Sequence, residues 1–280
     1  MPELPDVEHF RRHLAETSLG RSIEDVTIRN AKVLALPGTR LRQALQGRRM
    51  TRTRRHGKQL LVELDDGRWL ALRFGMTGRL LHFKDAADDP AYDRVRLDFA
   101  DGSHLAFEDR RQLGQIAVIA DADDFIRQQK LGPDALDSKL DAAAFTALFA
   151  ANRATAKAAL MDQTLVSGIG NIFSDEILFQ AGIHPQAQVK ALDRADLARL
   201  YRTTRKVLQI AVARGGGSEE RADKLPKGFL TPRREAGARC PHCRGRIETL
   251  KFSGRTAYLC PPCQTIGAPR SRSRRTKAAR

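Results

Sequence analysis

Three things are scarce in this chain of 280 residues: aromatic side chains other than phenylalanine, acidic residues and long apolar runs. One Trp and three Tyr stand against twelve Phe, which argues against a function that rests mainly on aromatic stacking. No stretch approaches the roughly 18 consecutive apolar residues of a membrane span, and the N-terminus lacks the basic-then-apolar pattern of a signal peptide. We therefore expect an intracellular, cytoplasmic protein with no membrane partner.

The deficit of acidic residues leaves a strong positive charge. There are 33 Asp and Glu against 49 Lys and Arg, a formal net charge of +16. A surplus of this size is typical of proteins with a polyanionic partner, and nucleic acid is commoner than an acidic membrane when the chain has no lipidation motif or amphipathic anchor. The alternative is a basic surface that only contacts solvent.

Cysteine is also rare, and its four occurrences lie in one segment. They form two CxxC turns, "CPHC" and "CPPC", with sixteen residues between the pairs. In an intracellular chain this spacing predicts a four-thiolate zinc ribbon rather than disulfides. Four thiolates leave no open position on the metal, so we expect one structural Zn²⁺ and no organic cofactor. The predicted ligands are Cys240, Cys243, Cys260 and Cys263.

The first half of the chain reads as β-structure with one leading helix. Val7, Phe10 and Leu14 fall at helical spacing within "PDVEHFRRHLAET", which predicts a helix from about Pro5 to Thr17. Short alternating runs follow, and Asp-Gly pairs at 66–67 and 101–102 lie between such runs, which indicates hairpins. We predict a β-sandwich or flattened barrel up to about residue 120.

The second half reads as helical, after a boundary between about Leu131 and Asp141. In its longest predicted helix four apolar residues share one face: Leu197, Leu200, Leu208 and Ala211. "GGGSEERADKLPKG" reads as a flexible loop, and the basic segment after the last cysteine is predicted to be disordered. The fold class is therefore α+β, with an N-terminal β-sandwich and a helical half that ends in the zinc ribbon.

Glycines mark a turn between two of the predicted helices. "SGIGN" at 167–171 would let a backbone approach a phosphate, with the Asn171 amide beside a positive helix end. The alternative is an ordinary tight turn with Asn171 as the N-cap. Arg255, near the tip of a hairpin between the CxxC pairs, reads on its own as an exposed turn residue.

Basic and apolar residues of the β-half are candidates for contact with nucleic acid. "RRMTRTRRHGK" ends at Lys58 and has the charge density of a phosphate-tracking edge. Met76 lies between glycines in "FGMTG", and Arg111 and Leu113 lie in "DRRQLG". Apolar residues in such loops are suited to insertion into a base stack, although the pattern alone favours minor core packing for Met76 and Leu113.

Taken together, these stretches resemble the formamidopyrimidine-DNA glycosylase and endonuclease VIII family. The resemblance rests on "MPELPDVE", "RRHGKQLL", "FGMTG", "DRRQLG", "MDQTLVSGIGNI" with "AGIHP", and the paired CxxC turns with "GRTAYLC", in that order. It covers residues 1 to about 264, and "ELP" at positions 3 to 5 is similar to the formamidopyrimidine branch.

The resemblance implies a bifunctional DNA glycosylase and abasic-site lyase of base-excision repair. Its partner would be double-stranded DNA with damaged bases, and its substrates oxidised or ring-opened purines such as 8-oxoguanine and formamidopyrimidines. We expect a monomer, associated with the nucleoid in a bacterium. The implied units are a catalytic β-sandwich (1–131), a linker (132–140), a helix-two-turn-helix unit (141–230), a zinc finger (231–264) and a basic tail (265–280).

The resemblance also implies a role for each candidate residue. Pro2, once Met1 is removed, would attack C1′ and form an iminium link to the sugar, and Glu3 would handle protons. Lys58, the third catalytic candidate, would contact phosphate and the surroundings of the flipped nucleotide. The residues implied to contact DNA are Arg73, Met76, Arg111, Leu113, Asn171 and Arg255. Within this group Met76, Arg111 and Leu113 would fill the gap left by the flipped base, while Asn171 and Arg255 would hold the flanking phosphates.

The chain departs from the family pattern at several positions. Asp6 stands where glutamate is usual, Arg73 where histidine is frequent, and Leu113 where an aromatic wedge is common. The stretch 215–239 is shorter than in the family, whose loop helps to hold the oxidised purine. Two alternatives therefore stay open: the same chemistry on oxidised pyrimidines or abasic sites, and a zinc protein that binds damaged DNA without excising the base.

Overall fold

The computed structural model describes residues 1–218, 220–252 and 254–265. The tail predicted to be disordered therefore lies, except for Thr265, outside the described residues. The helices are α1 (Leu4–Thr17), α2 (Gly38–Leu45), α3 (Ala122–Gln128), α4 (Ala142–Ala150), α5 (Ala156–Met161), α6 (Asn171–Ala181) and α7 (Arg194–Arg214). Short 3₁₀ turns lie at Ala31–Val33, Ala86–Asp88, Val189–Ala191, Ala222–Lys224 and Thr231–Arg233.

The first half is a sandwich of two antiparallel sheets. Its strands are β1 (Ile23–Ile28), β2 (Met50–His56), β3 (Gln59–Leu64), β4 (Trp69–Arg73), β5 (Arg79–Phe83), β6 (Asp93–Phe99), β7 (His104–Glu108) and β8 (Gln115–Ile119). One sheet has the order β2-β3-β4-β8 and the other β1-β6-β7-β5. Both contribute to one core, in which Val62 and Leu72 cluster with Val95 and Phe107.

Both predicted hairpins are confirmed. Gly67 joins β3 to β4 with a φ of 84°, and Gly102 joins β6 to β7 with a φ of 78°. These left-handed conformations favour glycine, which is why the Asp-Gly signal marked the turns correctly.

The prediction of a single helix in this half is wrong, because α2 and α3 are also present. The eight residues of α2 follow Pro37 and bury Leu41 and Leu45 in the sandwich core. In α3, Asp121 caps the N-terminus by accepting from the Asp124 amide at 2.7 Å. Ile126 of α3 covers the outer face of the first sheet. Both helices are too short for a periodic pattern to stand out from the alternating strands around them.

In the second half α6 packs against α5 and α7, and α4 packs against α7. The predicted face of α7 is confirmed, since Leu197, Leu200, Leu208 and Ala211 are all buried. Helix α6 is buried on nearly every side and begins at Asn171, the residue predicted to start the helix after the glycine-containing turn. The segment 132–140, expected to be a linker, is packed between the halves: Asp134 accepts from the Gly57 amide at 2.6 Å and Ala135 is buried.

The cysteine segment forms a hairpin of β9 (Glu248–Phe252) and β10 (Arg255–Leu259) beside the two CxxC turns. Ile247 and three of the cysteines share an apolar cluster with Phe179 of α6, so the hairpin is seated on the helical half. The fold is thus α+β, with a leading helix, a β-sandwich, a helical unit and a cysteine hairpin. In the part of the chain that the structure describes, no helix combines the length and apolar character needed to cross a membrane.

Candidate active site and nucleic-acid interface

The first residues of the chain are fixed between the two halves. The Asp6 carboxylate accepts a hydrogen bond from the Glu3 amide at 2.8 Å, which caps the first turn of α1. Pro5 suits that turn because it has no amide hydrogen that would need a partner. The Leu4 amide donates to the carbonyl of Gly168 at 2.9 Å. The chain terminus is therefore held against the glycine-containing turn that precedes α6.

The Glu3 carboxylate lies on the N-terminus of α6. Oε1 accepts from the Ile172 amide at 2.8 Å, while Oε2 accepts from Gly170 at 2.6 Å and Phe173 at 3.2 Å. The side chain is 1% exposed. The first amides of a helix have no partner within it, and the positive end of its dipole favours a negative charge. The sequence predicted Glu3 as a site residue but not this mode of attachment.

Lys58 reaches the same point from the turn between β2 and β3. A Cβ atom added to Gly170 would lie 2.5 Å from Glu3 Cδ and 2.8 Å from Lys58 Nζ, so both side chains close on this glycine. Burial lowers the pKa of Lys58, which the charges of Glu3 and Asp6 oppose and that of Arg255 reinforces. Glu3 and Lys58, two of the predicted catalytic residues, are thus brought together.

Pro2 lines a cavity of about 210 Å³ beside this pair. Met76 and Arg79 also line the cavity, as do Ser218 and Arg221 of the loop after α7. The Ser218 amide donates to Asp6 at 3.0 Å and its hydroxyl to the Met1 carbonyl at 3.1 Å. Asp6 therefore holds both the terminus and the loop.

Two exposed apolar side chains project from adjoining loops of the sandwich. Met76 is 40% and Leu113 45% exposed, so neither serves the core as the pattern alone had favoured. Buried Asp109 joins the two loops by accepting from Thr77 Oγ1 at 2.5 Å and from the Gly114 amide at 2.7 Å. Arg111 is exposed on the same loop as Leu113. Asp109 is a residue that sequence reasoning missed.

Asn171 and Arg255 lie on either side of the junction between α6 and the cysteine hairpin. The Asn171 amide group donates to the Thr256 carbonyl at 3.3 Å, and its buried Oδ1 has no hydrogen-bond partner among the described residues. Arg255 is exposed at the start of β10 and is close enough to affect the pKa of Lys58. Arg73 stands apart from this group, exposed at the end of β4 and paired in the sheet with Gln59 and Gln115.

A buried charged network fixes the hairpin on α6. Lys157 Nζ lies 2.6 Å from Asp175 Oδ1 and donates to the Asn171 carbonyl at 2.9 Å. Arg234 donates to Asp175 Oδ2 at 2.9 Å, and the Tyr258 amide of β10 donates to the same oxygen at 3.1 Å. Burial raises the pKa of Asp175 and lowers that of Lys157, and the ion pair opposes both shifts. No spacing in the sequence signals this network.

The four cysteines converge as predicted. Their sulfur atoms lie within 4.8 Å of one another, and the Cys240–Cys263 and Cys243–Cys260 sulfurs are 3.8 and 3.5 Å apart. These separations exclude disulfides, whose sulfurs lie about 2.05 Å apart. Four soft donors in a closed cluster fit one tetrahedral, structural Zn²⁺, which would tie the CxxC turns to the hairpin that carries Arg255.

A sandwich and a helical unit meet at the chain terminus, with the cysteine hairpin beside them, and together they define a zinc-binding protein with a reactive site between its halves. Three family models match the chain: the formamidopyrimidine-DNA glycosylase N-terminal domain over 1–116, the formamidopyrimidine-DNA glycosylase H2TH domain over 131–223, and the zinc finger found in FPG and IleRS over 237–266. The chain belongs to the formamidopyrimidine-DNA glycosylase family.

Individual relatives agree along nearly the whole length. The formamidopyrimidine-DNA glycosylase of Geobacter metallireducens is 35% identical over 269 residues, which cover 95% of this chain and 100% of the relative. The Lactococcus lactis enzyme bound non-covalently to DNA with an abasic site matches with a TM-score of 0.84 and 27% identity, over 94% of this chain and 99% of that one. Its complex with DNA containing N7-benzyl-Fapy-dG matches with a TM-score of 0.86, at the same identity and coverage.

Proposed function

We propose that the protein is a bifunctional DNA glycosylase and abasic-site lyase of base-excision repair that excises oxidised or ring-opened purines. The observation that carries the proposal is the attachment of the Glu3 carboxylate to the first amides of α6, beside Lys58 and one residue from Pro2. This geometry fixes a proton-transfer group next to a potential N-terminal nucleophile, whose cavity is large enough to admit a ligand.

The chemistry begins when removal of Met1 leaves the secondary amine of Pro2 free. The amine nitrogen bonds to C1′ as the bond from C1′ to the base breaks, and the base leaves with that electron pair and a proton. Opening of the sugar ring, assisted by a proton on its oxygen, gives an iminium ion. The iminium acidifies C2′, so loss of a C2′ proton expels the 3′ phosphate, and a second elimination expels the 5′ phosphate. Glu3 and Lys58 are the groups positioned for these proton transfers.

The DNA contacts follow from exposure and charge. We propose that Met76 and Leu113 enter the space vacated by the flipped nucleotide. Both are exposed apolar residues, and hydrogen bonds to Asp109 hold their two loops together. Arg111 would face the orphaned base. Asn171 and Arg255 would hold phosphates near the lesion, with Arg73 farther along the sandwich. Zn²⁺, when bound, supplies the crosslink that keeps the hairpin folded.

We also propose the boundaries 1–131, 132–140, 141–230 and 231–264 for the functional units, supported by separate buried clusters in the sandwich, the helical unit and the cysteine hairpin. The protein would act as a monomer on duplex DNA in the cytoplasm, associated with the nucleoid in a bacterium. Oxidised pyrimidines or abasic sites are the alternative substrates. A DNA-binding protein without catalytic activity is disfavoured, because Pro2, Glu3 and Lys58 are all present. The side chains of Glu3 and Lys58 both lie against Gly170.

The proposal is tested by trapping the covalent intermediate. Protein from which Met1 has been removed should form a borohydride-reduced adduct with duplexes containing 8-oxoguanine, formamidopyrimidine or an abasic site. A matched protein with an N-terminal extension, which blocks the Pro2 nitrogen, should bind the same duplexes without an adduct. Absence of any adduct from the processed protein on all these duplexes and on oxidised pyrimidines would refute the enzymatic function.

A further inference from the structure

Helix α7 exposes a basic face that the proposed function does not use. Beyond the first turn of the helix, residues 197–214 hold five basic residues and no acidic one. Arg194, Arg202 and Lys206 are exposed, and Arg205 is half-buried. At 3.6 residues per turn these four positions fall on one side of the helix, along about 18 Å of its axis. This surface is the α7 basic face.

The α7 basic face is turned away from the reactive groups. The other side of the helix, with Leu197, Leu200 and Leu208, is buried in the cluster that also contains Leu4 of α1 and Phe173 of α6. Helices α1 and α6 are the elements that bring the catalytic carboxylate to its amides. The reactive groups and the α7 basic face therefore lie on opposite sides of α7.

The charge of the α7 basic face is not neutralised within the described part of the chain. No carboxylate oxygen there lies within 4 Å of its four cations, and Asp196 pairs with Arg199 instead. Arg205 Nη1 donates to the Asp137 carbonyl at 2.8 Å, which orders the side chain without removing its charge. Cations three and four residues apart on one helix repel each other, and a bound polyanion relieves that repulsion.

The spacing and composition of the α7 basic face favour DNA over a protein partner. Each strand of duplex DNA carries about one phosphate per 3.4 Å of axis, so about five phosphates of one strand match the length of the face. Ala198 and Gln209, which lie between the cations, are small or polar. The large exposed apolar residues of the described segments are Met76, Tyr92 and Leu113, all in the first half of the chain. A protein interface needs aromatic or apolar anchors, which this face lacks.

We infer that the α7 basic face is a second binding surface for duplex DNA, independent of sequence and separate from the surface that holds the damaged nucleotide. One chain can then contact two duplex segments at once and pass from one to the other without first dissociating. The inference goes beyond the proposed function, because this face takes no part in excision. It binds phosphates through charge alone, so its affinity falls steeply as salt is added.

The test uses protein whose reactive surface is already occupied. The borohydride-trapped adduct on a short abasic duplex is titrated with a second, fluorescent, undamaged duplex, and anisotropy records binding. The wild-type adduct should bind the second duplex with a dissociation constant of about 1–100 μM at physiological salt, the range of non-specific sites. Arg202→Glu with Lys206→Glu should weaken this binding roughly tenfold or more. The salt slope should become less negative by about 0.9 for each lost phosphate contact, while trapping on the first duplex stays within about twofold of the wild-type rate.

Arg40→Glu with Lys84→Glu is the matched control. Both residues are exposed in the first half of the chain, and the pair changes the net charge by the same amount without touching α7. The control adduct should bind the second duplex within about twofold of the wild-type affinity, because exposed charges farther apart than about 10 Å are largely screened at 0.1 M salt.

Three results would overturn the inference. These are no binding of the second duplex by the wild-type adduct, an equal loss in the control, and tighter binding of a polyglutamate peptide than of the duplex, which would assign the face to an acidic protein. If the wild-type protein forms no adduct, the proposed function fails instead. The second surface is then tested on the free protein, which should bind two short duplexes per chain, against one for Arg202→Glu with Lys206→Glu.

Discussion

At the scale of single residues, Gly170 determines how closely the reactive groups approach. It precedes α6 with a φ of −125°, a conformation that any residue can adopt, so its requirement for glycine comes from space. Its missing Cβ leaves room for the Glu3 carboxylate and for Lys58 Nζ. The backbone amide of the same residue donates to Glu3. One glycine thus provides both a contact and the clearance for it.

We predict that Gly170→Ala lowers the excision rate by about 100-fold, because a catalytic group displaced by about 1 Å loses activity on that scale. Overpacking should also lower the free energy of unfolding by about 1–3 kcal/mol. Excision kinetics and urea unfolding measure the two effects. Gly228→Ala is the matched control, since a Cβ there would meet only His242 Nε2 at 3.8 Å. Activity of Gly170→Ala equal to that of the control would contradict the assigned geometry.

Residues of the site differ in how far sequence predicts them. Glu3 and Lys58 were predicted, through a family resemblance and a dense basic run. Asp134, by contrast, binds Gly57 from 77 positions away, and Asp109 binds Thr77 from 32 positions away. Neither aspartate lies in a pattern that signals its partner, because these contacts arise only when the sheets and the helical unit pack. Supporting residues of this kind are visible in the fold alone.

At the scale of elements, local signals predicted turns better than helices. Asp-Gly pairs require a left-handed glycine, and both hairpins are confirmed. Helices α2 and α3 were missed because each is under nine residues long and lies among strands. The start of α6 at Asn171 was predicted correctly, because the glycine-containing turn before it marks the boundary. Its first turn is the part that binds Glu3.

The cysteine hairpin is the element whose loss should affect DNA binding most selectively. Removal of Zn²⁺ by chelation, or Cys240→Ser, should lower affinity for an abasic duplex roughly tenfold or more, because Arg255 and the Thr256 carbonyl lose their positions beside α6. Trp69, the only tryptophan, is buried in β4 of the sandwich and reports on that half alone. Its emission should stay unchanged while fluorescence anisotropy records the loss of binding. A red shift of Trp69 parallel to the loss of affinity would contradict this independence.

At the scale of the whole molecule, the two halves are joined where the reactive groups lie. Arg55 of β2 forms an ion pair with Asp134. The Leu4 amide donates a hydrogen bond to the Gly168 carbonyl, and the Glu3 carboxylate accepts from the first amides of α6. A Cβ on Gly57 would clash with Ser167 at 2.7 Å, so the sandwich approaches the turn before α6 at backbone distance. A change in the angle between the halves would therefore move Lys58, on the turn between β2 and β3, away from Glu3, which is bound to the α6 amides.

The net charge of +16 is also a property of the whole molecule, and it predicts that binding to DNA weakens as the salt concentration rises. Each phosphate neutralised on duplex DNA contributes about −0.9 to the slope of log K against log salt concentration. Arg255→Ala should therefore make the slope less negative by about 0.9, and affinity should fall on damaged and undamaged duplexes alike. Leu113→Ala does not change the charge, so the slope for this variant should match that of the wild type while its preference for the damaged duplex falls.

Anisotropy titrations between low and moderate salt measure both variants. An unchanged slope in Arg255→Ala, or a shifted slope in Leu113→Ala, would show that the charged and apolar residues do not divide these roles.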